Sequence, residues 1–549
     1  MKKVLYRGLT ALTLSTALAG ISTSCTKDLD QKPKFELTGD KVYVGLSGYK
    51  QVLAKLYGGF ALTGPTGPGS GDISGIDAGT SDYIRQWWSA QELTTDEAVI
   101  AWNDPGVQEW HRMNWDSGHP LTRGFYSRLY YEIAICNEFL REATDDKLAS
   151  RLSSGEIEQG KLYRAEARFL RAVAYSHVID LFGNGPFVTE KDPVGGPLPV
   201  YNTRQQLYSF VESELQALTK DLAPARTNEY GRVDQAAAQG MLAKLYLNAE
   251  VYTGTPQYAK AATAAKAVID AGYALNTADA GRVATAYGRL FLADNNQTPV
   301  RNEIIWPVVF DVNSVQSYGG TTFLVNGATS GADAAWQRLV GQTTGWGGMR
   351  TTSALFDKFF LAGSDTTRDR RGRFYTTGQT LAISDLTQFP QGLGVIKYRN
   401  VNSAGAAQGA SLNFSSVDFP MLRLADMMLI YAEASARTNT DRPTALGYVN
   451  QIRRRGFGLP ITTPSTLADI SDAQMTPDFI LDERAREMYW EGTRRTDLIR
   501  FGKFTDGTYL WPWKGGVSSG RAVDAKYRLF AIPASDLTAN QNLKQNPGF

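Results

Sequence analysis

The sequence predicts a mainly α protein, in which tetratricopeptide-like helical repeats form one domain and a large loop-rich subdomain carries a few short strands. Three observations predict this. Lys161 to Pro186 (KLYRAEARFLRAVAYSHVIDLFGNGP) places apolar residues on two helical stripes, one through Leu162, Ala165, Phe169, Ala172 and Ile179, the other through Ala167, Leu170, Ala174, Val178 and Leu181. A helix apolar on two sides is contacted from two sides, so this one is a central post. Alanine-rich helical hairpins stand on both sides of the chain's middle, and between them the sequence is rich in Gly, Thr, Ser and Asn with little apolar periodicity.

Composition narrows the function. With 549 residues and 43% hydrophobic content there is material for a large core. The formal charge is +2, and without the first 24 residues, which hold three bases and no acid, 54 bases face 55 acids. A near-neutral chain of this kind argues against nucleic acid as a partner. Two cysteines are too few for a disulfide framework, and His111, His119 and His177 are too scattered to mark a metal site. No cofactor is implied.

Residues 1–24 combine a basic start (Lys2, Lys3, Arg7), an apolar run from Leu9 to Ile21 and small residues Ser22-Thr23-Ser24 before Cys25. That is a secretory signal, too short and polar for a stable membrane span. A cysteine at this point resembles the lipobox of bacterial lipoproteins, although Ser22 stands where an aliphatic residue is usual. The resemblance implies cleavage before Cys25 and acylation of that residue. Residues 25–40 are charged and aperiodic, a flexible tether, and residues 41–549 are expected to form a single domain.

Within it, Val42 to Phe60 has helical period. The glycine- and proline-rich stretch that follows carries Asp72, Asp77 and Asp82 and ends at Trp87-Trp88, two adjacent rings that cannot easily both point inward from one helix or strand. Thr122 to Ala143 is a further helix. On the central helix Arg164, Arg168, Arg171 and Tyr175 share a face, and carboxylates of neighbouring helices are their expected partners. Gly183-Asn184-Gly185-Pro186 stops that helix. Arg204 to Leu222 is amphipathic, and Val233 to Ala249 pairs with Pro256 to Gly272, with Tyr246 and Tyr258 as wedges. The arrangement returns at Met421 to Arg437 and Pro443 to Arg455. The excursion from about 273 to 420 holds a strand-like run, Glu303 to Phe310, a modest helix, Thr352 to Leu361, and isolated rings at Tyr318, Trp336, Trp346, Tyr375 and Tyr398. Asp478 to Phe504 reads as a C-terminal helix opened by Pro477, with Trp490 in the core. The helical core is therefore placed at 41–60, 120–272 and 420–504, and the ligand-binding excursions at 61–118 and 273–419.

The phrases RAEARFLRAVAYSHVIDLFGNGP, PMLRLADMMLIYAEA, YVNQIRRRGFG, DFILDERAREMYWEGTRRTDLIRFGKF and KYRLFAIPASDLTANQNLKQNPGF, in that order, resemble the SusD-like (RagB/SusD-type) family of outer-membrane nutrient-binding lipoproteins. The resemblance spans nearly the whole chain and is weakest at 60–118 and 273–415. It implies a cell-surface lipoprotein of the outer membrane that captures a glycan ligand and delivers it to a SusC-like TonB-dependent transporter. Asp28 and Asp30 beside the anchor resemble surface-export signals.

A protein that holds sugar without cleaving it needs aromatic platforms and a few polar partners. Trp87, Trp88, Trp336, Trp346 and Tyr398 are the candidate platforms, with Asp72, Asp77 and Arg350 as hydrogen-bonding candidates. No catalytic residue is assigned. Gly516 to Gly520 fits G-x-S-x-G but lacks the strand and helix of a nucleophile elbow, and Asp96-Glu97 reads as a solvated helix start. A helical glycoside hydrolase or a protein-binding repeat scaffold are the alternatives. New reducing ends after incubation with glycan distinguish the hydrolase.

Overall fold

The computed structural model describes residues 39–359, 369–409 and 413–549. The secretory segment, Cys25 and nearly all of the tether lie outside the described residues. The rest is mainly helical. The central helix runs Ile157–Leu181 and packs against Gly45–Ala61, Pro120–Glu142 and Arg204–Asp221. Both of its apolar stripes are buried apart from the half-buried Leu162, with Phe169 and Leu170 each 0% exposed. Its arginines are paired as expected. Arg164 reaches Asp145 at 2.7 Å, Arg168 meets Glu214 and Asp221 at 3.1 and 2.8 Å, and Arg171 bonds Glu214 at 3.1 Å and Asn137 at 2.6 Å. These charges hold the helices together and leave no open cationic face.

From there the helices stack in sequence order: Arg204–Asp221, Gln235–Leu247 and Tyr258–Ile269, each on the next. Leu424–Thr438 then packs directly on Tyr258–Ile269, and Arg442–Gly456 follows it. Tyr258–Ile269 buries Ala261, Ala264 and Ala265 between its neighbours, where small side chains let the backbones approach. This is the tetratricopeptide-like logic of the sequence, with the chain leaving the array after Tyr258–Ile269 and coming back to that helix.

Among the described residues eight short strands pair two by two, all antiparallel. They are β1 (Val99–Ile100), β2 (Gly185–Phe187), β3 (Val200–Asn202), β4 (Ile304–Val308), β5 (Met349–Arg350), β6 (Phe374–Tyr375), β7 (Gly394–Val395) and β8 (Phe419–Arg423). The pairs are β1 with β5, β2 with β3, β4 with β8, and β6 with β7. The β4–β8 pair closes the neck of the excursion, and Leu424 N donates to Glu303 O at 2.9 Å just beyond it. Trp306 of β4 inserts between Phe60 and Phe169, 5.8 and 5.3 Å away.

A buried ionic cluster sits at the same neck. Arg423 binds Glu487 and Glu491 at 2.6 Å, Arg455 binds Glu303 at 3.1 Å, and Arg371 binds Glu483 and Glu487 at 2.8 and 3.0 Å, all with side chains no more than 1% exposed. Burial alone would raise the Glu487 carboxyl, but Arg455, Arg423 and Arg371 together hold it down to about 2. Charges this deep are tolerated because each is matched and hydrogen-bonded.

Two sequence expectations are corrected. The segment 478–504 is two helices, Pro477–Met488 and Arg494–Arg500, because Trp490 (φ 62°) and Gly492 (φ 74°) break it. A Cβ on Gly492 would lie 2.4 Å from the Trp87 indole, so the break is where another segment presses on the backbone. Trp490 is 1% exposed, core as expected but outside any helix. The helix foreseen from Thr352 is shorter within the described residues, Ser353–Phe356.

Candidate functional site

The two excursions meet at β1 and β5, paired Val99 to Arg350 and Ile100 to Met349. One more bond, Ala101 N to Gly348 O at 2.9 Å, extends the ladder. The next residue on one side is Trp102, and two residues back on the other is Trp346. Trp102 Nε1 donates to Trp346 O at 3.2 Å, and the ring centroids lie 6.3 Å apart at 44°. A Cβ on Gly348 would fall 2.5 Å from the Trp102 indole, so only glycine admits this approach. Trp346 is fixed by its own backbone. Trp346 N, Gly347 N and Gly348 N donate to Asn326 O, Thr329 O and Gly327 O at 2.7, 2.9 and 2.8 Å.

Tyr318, 46% exposed, completes the arrangement 6.4 Å from Trp346 at 52°. Trp102 and Trp346 are half-buried. Three rings, each tilted against the next, form an arc at the meeting of the two excursions. Phe323 backs Trp102 edge-on at 6.1 Å, and the Arg85 guanidinium lies over both rings, 5.8 Å from Trp102 and 4.8 Å from Phe323. Burial lowers the Arg85 pKa, against the pull of Asp82, Asp77 and Asp104. Asp77 and Arg85 are close neighbours: a Cβ on Gly79 would sit 2.7 Å from Arg85 Nη1 and 3.2 Å from Asp77 Oδ2. Asn103 and Asp104, beside Trp102, are exposed. The arc thus offers stacking faces with a cation, carboxylates and an amide at its rim, a combination suited to the C–H face and hydroxyl edge of a sugar.

Of the residues singled out from sequence, Trp346 lies in the arc and Asp77 beside it. The others are placed elsewhere. Asp72 is paired with Lys55 at 2.7 Å and Arg128 at 3.5 Å. Trp87 and Trp88 both point inward, because the helix that carries them, Tyr83–Glu92, is covered on more than one side. Trp87 stacks on His177 at 5.3 Å, while Trp88 packs edge-on to Trp490 at 5.1 Å and donates from Nε1 to Trp490 O at 3.0 Å. Trp336 is enclosed between Tyr375 at 4.1 Å and Phe389 at 5.7 Å, and Tyr398 stacks on Phe419 at 6.0 Å with its hydroxyl on Trp490 O at 3.2 Å. None of these four rings presents an open face in this conformation.

Arg350 is 0% exposed and donates to Gly348 O, Leu386 O and Gln391 O at 2.9, 2.8 and 2.8 Å. It braces the segment behind Trp346, and burial lowers its pKa to about 10. Asp96 and Glu97 are buried instead of solvated, Asp96 being gripped by Arg494 through two bonds of 2.7 Å. Trp102 and Arg85 were not foreseen, and Tyr318 was noted only as an isolated ring. The available signal was a ring placed directly before turn residues, Trp102 before Asn103-Asp104-Pro105-Gly106 and Tyr318 before Gly319-Gly320.

Comparison with known proteins bears on the family and the fold. The sequence profile of the SusD family matches residues 375–549. The chain is 33% identical to the starch-binding protein SusD of Bacteroides thetaiotaomicron over the full length of both, and 23% identical to a SusD-like protein of Formosa agariphila over 78% of this chain and 81% of that one. Among solved structures, a SusD homolog from Bacteroides thetaiotaomicron superposes with a TM-score of 0.70 at 20% identity, covering 92% of this chain and 97% of that one. The surface glycan-binding protein A from Bacteroides fluxus gives 0.66 at 18%, covering 92% and 100%.

Proposed function

The chain belongs to the SusD family, and from that premise we propose that it captures glycan chains on the Trp102–Trp346–Tyr318 arc and delivers them to a SusC-like TonB-dependent outer-membrane transporter. The observation that carries the reading is the arc itself, built where the two loop-rich excursions meet. Successive tilts of 44° and 52° suit a chain that turns from one sugar to the next. An α-1,4-linked glucan curls in this way and a β-1,4-linked one runs straight. A relative 33% identical over its whole length is named a starch-binding protein, which favours the α-linked glucan.

Capture without cleavage is the proposed mode. The rings stack on sugar C–H faces while Arg85, Asp77 and Asn103 bond hydroxyls at the edge. Calorimetric titration with maltoheptaose and with cellohexaose tests the substrate class: the first should bind and the second should not, and equal affinity for both would refute the curved-chain reading. New reducing ends in the same mixtures would refute binding without cleavage.

Attachment to the outer membrane through acylated Cys25, facing the cell exterior, completes the proposal. Among the described residues no helix is long and apolar enough to cross a membrane. Two or more acyl chains give stable attachment where one is marginal. Co-purification of the acylated protein with its transporter is the test of delivery.

A further inference from the structure

Tyr318 is the most exposed ring of the arc, and the backbone on both sides of it is held by one buried carboxylate. Asp82, 1% exposed, accepts the Ser317 hydroxyl on Oδ2 at 2.7 Å and the Gly320 amide on Oδ1 at 3.3 Å. Ser317 Oγ in turn accepts from Gly319 N at 2.9 Å. The residue before Tyr318 and the second one after it are therefore bonded to a single side chain from the other excursion, and Gly319 is tied to it through Ser317.

The fit leaves no slack. A Cβ on Gly319 would lie 1.8 Å from Asp82 Cγ, and one on Gly320, at φ +51°, would lie 2.1 Å from the Phe310 ring. Asp82 also accepts from Arg85 N at 2.9 Å, capping the helix Tyr83–Glu92. Both ends of the clasp thus belong to the site, since the first turn of that helix carries Arg85 against Trp102. Burial raises the Asp82 carboxyl pKa against these donors. A buried carboxylate that only capped a helix would be an expensive choice where serine or threonine serves.

We infer that Asp82 is a positioning residue of the glycan site, which sets the distance and tilt of Tyr318 against Trp346 without itself touching ligand. The inference rests on the ring-arc reading. Asp82→Asn keeps the shape and the acceptor for Arg85 N and Gly320 N, but its NH2 faces the Ser317 hydroxyl, which must turn from donor to acceptor and loses its bond to a charged carboxylate, so the hold on the Tyr318 segment should weaken.

The test is a double-mutant cycle of Asp82→Asn and Tyr318→Ala, read by titration with maltoheptaose, with thermal melts alongside. Tyr318→Ala is expected to weaken binding about tenfold, and Asp82→Asn by a similar factor. The double variant should bind no more weakly than Tyr318→Ala alone. Ser317→Ala, which leaves the carboxylate in place, should give a smaller loss that also vanishes in the Tyr318→Ala background, and it carries the cycle if Asp82→Asn does not fold. Wild-type affinity in Asp82→Asn, or an undiminished loss when Tyr318 is already alanine, overturns the inference and leaves the arc standing. So does a silent Tyr318→Ala beside an effective Trp346→Ala. If no ring of the arc affects binding, the arc reading falls and the inference with it.

Discussion

Trp346 and Trp88 are both tryptophans of loop-flanked segments, and the structure gives them opposite consequences. Trp346 is the middle ring of the arc, between Trp102 at 6.3 Å and Tyr318 at 6.4 Å. If a sugar covers about 80 Å² of its open face, burial at ~25 cal/mol per Å² is worth about 2 kcal/mol. Trp346→Ala should therefore weaken maltoheptaose binding about thirtyfold. Its backbone bonds to Asn326 and Trp102 do not depend on the side chain, so the urea midpoint should hardly move. Trp88 is 0% exposed and loses packing on Trp490 and Phe323 as well as its indole hydrogen bond. Trp88→Ala should lower stability by about 3–5 kcal/mol, with affinity near wild type where the protein is still folded. Calorimetry and urea denaturation of both variants read the two quantities separately. Unchanged affinity in Trp346→Ala, or lost affinity with full stability in Trp88→Ala, would refute the division into platform and core.

Four further outcomes are expected. Gly348→Ala should weaken glycan binding by displacing Trp102, whose indole lies 2.5 Å from the new Cβ position, and titration would show it. Phe169→Ala and Leu170→Ala attack the two faces of the central helix, and each should cost about 2–5 kcal/mol in urea denaturation, since both side chains are 0% exposed. Asp418 has its carboxyl raised by burial to about 7, so the folded state keeps a proton that the unfolded state releases from about pH 4 upward. Wild type should lose stability relative to Asp418→Asn as pH rises from about 4 through 7, by on the order of 3–4 kcal/mol, and a pH-independent difference would refute this. Mass spectrometry of the native protein should find acylated Cys25 as its first residue.

The helical array was legible because periodicity is a local property. Two stripes on Lys161 to Pro186 announce a helix with neighbours on more than one face, and alanine-rich hairpins announce close crossings, whichever partners supply them. The arginine face was legible for a similar reason. Three guanidinium groups at helical spacing in a near-neutral chain demand carboxylates, and Asp145 provides one for Arg164 while Glu214 and Asp221 of the next helix serve Arg168 and Arg171. The break at Trp490 was not legible, because it answers to the Trp87 ring, a contact that no local pattern encodes.

The enclosure of Trp87, Trp88, Trp336 and Tyr398 was illegible for the same physical reason. Sequence shows that a ring lies in an aperiodic loop, but whether that ring meets water is decided by distant chain. Trp88 is closed off by the carbonyl and ring of Trp490, 402 residues away, and Trp336 by Phe389 and Tyr375. Trp102 lies two residues beyond a two-residue strand too short to have a pattern, and its partner arrives from the other excursion through β5. The two loop regions that the sequence singled out do meet, through the β1–β5 pair. An arc of tilted rings belongs to neither segment alone. The β1–β5 ladder holds the segments of Trp102 and Trp346 and Asp82 holds that of Tyr318, so the curvature proposed to select a glycan would be encoded in buried residues behind the rings.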